Sequence, residues 1–183
     1  MKKIYYLTFL TLLILTACQE QEVSPKIMQD NHNILTHTEN IALKKHNELR
    51  QLHFTDANLI YSQSLEKAAQ RHANQLAKNG NFTHDSTNLA NKYGENLYRF
   101  SGTEKPNLTS IIQKWYDEKK YYNDTTEECK IGHVCGHYTQ IVWKNSKHLG
   151  CASAKYIKGS YKNGYVTVCK YYPYGNIMGQ DPY

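Results

Sequence analysis

Gly136-His137-Tyr138-Thr139-Gln140-Ile141-Val142-Trp143-Lys144-Asn145-Ser146 is the stretch that decides the fold. It places a histidine at the head of an apolar, aromatic and β-branched run, so residues 138–143 read as a strand. Cys135 stands just before it and Cys151 follows soon after. Downstream lies a second dense stretch, Cys169-Lys170-Tyr171-Tyr172-Pro173-Tyr174-Gly175-Asn176-Ile177. Working outward, Cys129 brings the cysteines of this region to four, and Cys18 is the fifth in the chain.

The N-terminus has to be set aside before the fold is argued. Lys2 and Lys3 precede an apolar run over residues 4–15, followed by Leu15-Thr16-Ala17-Cys18. A basic start, a short apolar core and small residues before a cut form a secretory signal, here residues 1–17. The run is short beside the roughly 20 apolar residues of a membrane span. Cys18 has two readings. It is either incidental behind an ordinary signal peptide or the acylated cysteine of a segment that resembles the bacterial lipobox. Its place at the cut favours the second. Residues 18–35 are then the lipidated cysteine and a polar, aperiodic tether, and residues 36–183 are one domain with a real core.

Composition narrows the function classes. The formal net charge is +6, two units of which sit on Lys2 and Lys3. There is no dense Lys/Arg block, which argues against a nucleic-acid partner. Tyrosine is abundant, with 16 residues against 4 phenylalanines, and a ring with a polar tip suits an irregular fold or a partly wet groove. Export to an oxidising compartment makes the four cysteines after Cys18 disulfide partners. Spacing alone leaves three pairings open. A zinc site on these cysteines is disfavoured, because no pair is spaced as CxxC.

Periodicity begins near Glu39. Ile41, Leu43, Leu49, Leu52 and Phe54 predict an apolar helix face, with Lys44, Lys45, Glu48 and Arg50 outside. A second helix is expected from near Ser64 as cap, with a buried stripe of Leu65, Ala68, Ala69, His72, Ala73, Leu76 and Ala77, stopped at Asn79-Gly80. Residues 80–93 read as loop, residues 95–98 as a short helix, and the segment from Leu108 through Glu118 as a third long helix. Residues 122–136 read as irregular. Residues 148–157 and 165–172 join 138–143 as strands of an antiparallel meander, which makes the class α+β.

The stretches 136–146 and 169–177 resemble the two signatures of the CAP superfamily: cysteine-rich secretory proteins, antigen 5 and pathogenesis-related proteins of class one. The resemblance spans roughly residues 36–183. It implies a three-layer α-β-α sandwich around a central antiparallel sheet, and the pairings Cys129–Cys135 and Cys151–Cys169. It also implies a cleft lined by two histidines and two glutamates. His84 lies in Phe82-Thr83-His84-Asp85-Ser86, where Asp85 interrupts the family's His-Ser pair. Glu95 lies in Gly94-Glu95-Asn96-Leu97, Glu118 follows Trp115 by three, and His137 belongs to Gly-His-Tyr-Thr-Gln.

Imidazoles with carboxylates suit Zn²⁺ or another divalent cation, with His84 and His137 as ligands and Glu95 and Glu118 as further candidates. The same four can instead form a buried hydrogen-bonded network or an acid–base site. The other histidines take bland readings: His72 as a satisfied core residue, His46 as structural, and His53, His133 and His148 as surface groups. There is no His-Glu-x-x-His and no Gly-x-Ser-x-Gly, so enzymatic activity is left open and weighed against. Ser86 is the nearest nucleophile for a hydrolase or protease reading.

Trp115, Tyr116, Tyr121 and Tyr122 mark a candidate groove for a sterol or fatty acid, which some family members bind; for Trp115 core packing is preferred. The tail over residues 173–183 is similar to a peptide that plant relatives release, and is read here as a terminal segment packed on the domain. The chain is therefore expected to be a lipid-anchored binding module of the bacterial cell envelope, outside the cytoplasm. Its expected partners are the membrane through its lipid, a small lipid or sterol, or a protein.

Overall fold

The structure is a computed structural model that describes residues 37–183, with side chains from residue 41 onward. The signal segment, Cys18 and the tether lie outside the described residues.

Helix α1 (His37–Arg50) leads to the short strand β1 (Ile60–Tyr61) and to α2 (Gln63–Asn79). The cap of α2 is Ser62, two residues before the expected Ser64; its hydroxyl accepts from the Leu65 amide at 3.4 Å. The stop is as expected: Gly80 takes φ +72° and donates to the Leu76 carbonyl at 2.9 Å, a left-handed cap that glycine adopts without strain. The predicted stripe of α2 is buried in full.

After a loop and the four-residue α3 (Asn88–Asn91) comes β2 (Gly94–Phe100). The short helix expected over residues 95–98 is instead part of this strand. The segment pairs along its whole length with β6, Gly94 opposite Tyr171 through Phe100 opposite Tyr165, and this ladder overrides the weak local preference of a four-residue segment. Helix α4 (Leu108–Tyr116) is capped by Asn107, whose Oδ1 accepts from the Thr109 amide at 2.8 Å. It runs into a 3₁₀ turn (Asp117–Tyr121). Within the region read as irregular, a small hairpin forms from β3 (Tyr122–Asn123) and β4 (Glu128–Cys129).

The expected strand over 138–143 is also corrected. Gly136–Ile141 is a helix, α5, and every side chain from Tyr138 to Trp143 is buried. A run buried on all sides carries no alternation, so periodicity cannot tell strand from helix there. Strands β5 (His148–Lys155) and β6 (Tyr165–Tyr172) follow as predicted.

The main sheet has the order β1-β5-β6-β2. It is mixed rather than wholly antiparallel, because β1 runs parallel to β5 while the other two pairings are antiparallel. Helix α2 packs on one face, with Ala69, Ala73 and Leu76 against Leu97, Val166 and Val168. Helices α1, α4 and α5 cover the other, with Ile111, Trp115, Tyr138 and Ile141 against Leu149 and Tyr171. This is the three-layer arrangement. Sheet and helix backbones come close at Gly150, where an added Cβ would lie 2.1 Å from the Glu66 amide nitrogen of α2.

Both disulfides form the expected pairs. Cys151–Cys169 staples β5 to β6 in the buried core, and Cys129–Cys135 closes the loop that leads into α5.

Two residues of α1 differ from expectation. Leu52 lies beyond the helix and is exposed, whereas Arg50, expected outside, is fully buried. Its guanidinium donates to the carbonyls of Ala57 at 2.6 Å, Ile141 at 2.7 Å and Trp143 at 2.8 Å. Those last two belong to the end of α5 and the turn after it, which have no helical partners of their own. Burial draws the guanidinium down to about 10, so it remains a cation.

The tail packs back on the domain. The Lys144 amide donates to the Pro182 carbonyl at 2.7 Å, and Tyr183 stacks on His53 at 5.2 Å and donates to Asp124 at 2.9 Å. His53, read as a surface group, is accordingly half-buried. Among the described residues no helix is long and apolar enough to cross a membrane.

Candidate functional site

The four cleft residues stand as two His–Glu pairs. Glu95 sits at the start of β2 with its side chain 1% exposed, while His84, on the loop after α2, is 64% exposed. His84 Nδ1 lies 2.7 Å from Glu95 Oε1, which also accepts from the Asp85 amide at 3.1 Å. Gly94 leaves the room β2 needs here, since a Cβ there would lie 2.0 Å from Gln140 Oε1 of α5.

The second pair joins the 3₁₀ turn to α5. His137 Nδ1 is 2.6 Å from Glu118 Oε1, and Glu118 Oε2 accepts from the amides of His137 at 3.0 Å and Tyr138 at 3.3 Å. Trp115 lies three residues before Glu118 and stacks on His137, its ring centroid 6.0 Å away and the two planes nearly parallel. The Trp115 indole donates to the Leu97 carbonyl on β2 at 3.2 Å.

Asn96 connects the pairs through the sheet. Its Nδ2 donates to the His137 carbonyl at 3.0 Å and to the Tyr171 hydroxyl at 3.2 Å. Tyr171 continues to His46 Nε2 at 2.8 Å, and His46 Nδ1 to the Ala42 carbonyl at 2.8 Å. Since that carbonyl only accepts, His46 carries its proton on Nδ1 and accepts from Tyr171. Burial pushes the His46 imidazole down to about 4, the Ala42 bond opposing and Arg50 adding to the effect, so the chain is built on a neutral ring.

Three residues of the His84 half were not singled out for it by sequence. Lys170 is fully buried, with Nζ 2.7 Å from Glu95 Oε2 and 3.0 Å from Asp85 Oδ2. Asp85, which breaks the His-Ser pair, accepts from the Thr87 amide and hydroxyl as well. Burial works against its charge, but the bonds from Thr87 and Lys170 hold its carboxyl down to about 2. Glu95 behaves alike: burial raises it, and His84, Lys170 and the Asp85 amide outweigh burial, leaving it below the usual carboxylate value. His72 donates from Nε2 to the Thr83 carbonyl at 2.9 Å, with Nδ1 buried without a hydrogen bond, 4.0 Å from Asp85. A lysine inside the strand run Val166-Thr167-Val168-Cys169-Lys170-Tyr171 was the legible signal, because a charge in such a run needs a buried partner.

The geometry limits what the carboxylates can do. Every oxygen of Glu95 and Glu118 already has a donor or cation beside it. Both carboxylates hold the Nδ1–H of a histidine, the arrangement that fixes a tautomer and leaves Nε2 as the free ligand atom. Among the described residues, no group of three or more His, Cys, Asp and Glu side chains is arranged to hold a metal ion. Any ion here would rest on imidazole nitrogens, with the glutamates behind them.

The aromatic candidates divide. Trp115 and Tyr116 are buried core. Tyr121 and Tyr122 line a cavity of about 400 Å³, but Lys120, Asn123, Glu128 and Lys130 share that lining, a polar surround for an apolar ligand. Ser86 lies with His84 and His72 on a second cavity of about 310 Å³ between α2 and the loop over residues 81–87.

Comparison with known proteins agrees with this architecture. Residues 43–171 match the model of the family described as CAP, the cysteine-rich secretory protein family. Pathogenesis-related protein 1B of Nicotiana tabacum is 41% identical over 125 residues, covering 68% of this chain and 69% of that protein. Among solved structures, Na-ASP-1 superposes with a TM-score of 0.66 at 25% identity over 84% of this chain; the match spans only 43% of that longer chain. A structure of NaASP2 with Zn²⁺ superposes with a TM-score of 0.60 at 25% identity, covering 84% of this chain and 88% of that one. With its helices, mixed sheet, two disulfides and paired His–Glu residues, this chain belongs to the cysteine-rich secretory protein (CAP) family.

Proposed function

We propose that this chain is an extracytoplasmic binding module whose cleft takes a divalent cation on the Nε2 atoms of His84 and His137. The observation that carries the reading is that both Nδ1 atoms are spent on carboxylates, at 2.7 Å and 2.6 Å. Charge supports it: Asp85 and Glu95 are two anions against the single ammonium of Lys170, an excess that a metal ion would neutralise. A relative by fold, NaASP2, was crystallised with Zn²⁺. Two imidazoles with water completing the shell form a weak site, suited to an exchangeable ion.

The disulfides fit an oxidising compartment. With Leu15-Thr16-Ala17-Cys18, they support export and a lipid on Cys18 that holds the domain outside the cytoplasmic membrane of a bacterium. Native mass spectrometry of the purified chain in zinc-containing buffer tests the cation site. One bound ion that disappears in His84→Ala and in His137→Ala is expected. An ion retained by either variant contradicts a shared site.

A further inference from the structure

Among the described residues, Lys170 is the one charged side chain with no solvent exposure that touches the histidine site. It lies on β6, directly opposite Glu95 on β2, and is 0% exposed. Its ammonium meets Glu95 Oε2 at 2.7 Å, Asp85 Oδ2 at 3.0 Å and the side-chain carbonyl of Asn88. It thereby ties together β6, β2, the loop that carries His84 and the small helix α3.

A buried ammonium is tolerated only when its hydrogens are used. Here it donates hydrogen bonds to Asp85 and Asn88 and forms an ion pair with Glu95 Oε2 at 2.7 Å, partners on three different segments. Glu95 has two oxygens. With Oε2 drawn to Lys170, Oε1 faces His84 Nδ1 and the Asp85 amide. Among the described residues the other basic side chains beside this carboxylate are imidazoles: His84, and His72, whose Nε2 is 3.8 Å from Oε2 and already donates to Thr83. Without Lys170, Asp85 and Glu95 would share one pocket as like charges, and Asp85 Oδ2 and Glu95 Oε2 would lose the cation between them.

The geometry points to Lys170 as a positioning residue: its ammonium fixes the rotation of Glu95, which holds His84 with the proton on Nδ1 and Nε2 bare toward the cleft. The functional meaning of this inference rests on His84 as a cation ligand, but the orientation it asserts belongs to the metal-free protein. Second-sphere groups of this kind change metal affinity by about tenfold or more.

The test is histidine side-chain ¹⁵N NMR of the full chain without metal, at mildly alkaline pH where imidazoles are neutral. The wild type is expected to show His84 and His137 as Nδ1–H tautomers. In Lys170→Met, His84 should move to a mixture of tautomers while His137 keeps its pattern, and Lys170→Arg should restore His84. Zinc affinity should fall about tenfold in Lys170→Met and recover in Lys170→Arg. His84 remaining an Nδ1–H tautomer in a folded Lys170→Met overturns the proposal. If that variant does not fold, Asp85→Asn with Lys170→Met removes one acid and the base together, and the same two outcomes are read on it. A protein that binds no zinc in any form sinks the cation reading, while the tautomer result still judges Lys170.

Discussion

Glu95 and Asn96 are consecutive on β2 and grip the two halves of the site from opposite faces of the strand. Glu95 accepts from the His84 ring at 2.7 Å, and Asn96 donates to the backbone carbonyl of His137 at 3.0 Å. Alternation along a strand sends neighbours to opposite faces. One dipeptide therefore ties the loop after α2 to the start of α5 across the sheet, and the family's Gly-Glu-Asn-Leu element becomes a mechanical statement.

Asn96→Ala should accordingly lower stability. Asn96 is 1% exposed, and its loss leaves the His137 carbonyl and the Tyr171 hydroxyl each short of a donor. Unmade buried hydrogen bonds of this kind cost about 1–3 kcal/mol. Denaturant melts should show a shift of that size, and a change within error would mean that the link is dispensable.

Arg50→Met should be more damaging. The arginine is the donor for carbonyls at both ends of a long sequence separation, Ala57 on one side and Ile141 and Trp143 on the other. The Trp143 carbonyl keeps the Ser146 amide at 3.1 Å, but the carbonyls of Ala57 and Ile141 lose the guanidinium, which together implies a loss of about 3 kcal/mol or more. Thermal melts of Arg50→Met and Arg50→Lys check this, with the lysine variant also expected to fail, since one ammonium cannot reproduce a planar fork.

Stability should fall on mild acidification because of His46. Its folded value lies near 4, below the 6.5 of an unfolded imidazole. The unfolded chain therefore binds more protons between those values, so this stability is fully present above about pH 6.5 and lost as pH falls toward 4. The window corresponds to about 3 kcal/mol. Denaturation curves across it should slope for the wild type and flatten for His46→Gln. Asp85 acts lower still: its carboxyl is held at about 2, so its share is lost only as pH falls from ordinary carboxylate values toward 2.

The sequence carried the outer frame of this fold well. The α2 stripe, both disulfide pairs, β5 and β6 were legible because each had a strong local or family signal. Elements buried on every side were not. The α5 run is buried from Tyr138 to Trp143, Thr139 and Gln140 included, and so shows no alternation, while the partly exposed β2 is a strand because β6 lies beside it. Arg50 was assigned outside on charge alone, although its use is to satisfy carbonyls ninety residues away in sequence. The His–Glu pairs came from the family motifs, but the sharing of Glu95 with Lys170 depends on strand register, which no linear reading supplied.

The two disulfides should differ in reach. Cys151 and Cys169 are fully buried, whereas Cys129 is only partly covered on an exposed loop. Brief treatment with a mild reductant and an alkylating agent should label Cys129 and Cys135 first, as read by peptide mass. Labelling of Cys151 and Cys169 at the same rate would show that the sheet opens as easily as the loop.

The proposed lipid on Cys18 is separable from the proposed cation site. Cys18→Ala should leave the membrane fraction of a bacterial host while keeping the domain folded. A variant that stays with the membrane contradicts lipidation at Cys18.

The most direct test of the account is calorimetric titration of zinc into the metal-free protein and into His84→Ala, His137→Ala and the double variant. The account predicts one weak site per chain, abolished equally by each single change and no further by both together, with all variants still folded. Binding that survives either single variant, or no heat in the wild type at millimolar zinc, would contradict a shared cation site and leave the two His–Glu pairs as parts of the scaffold.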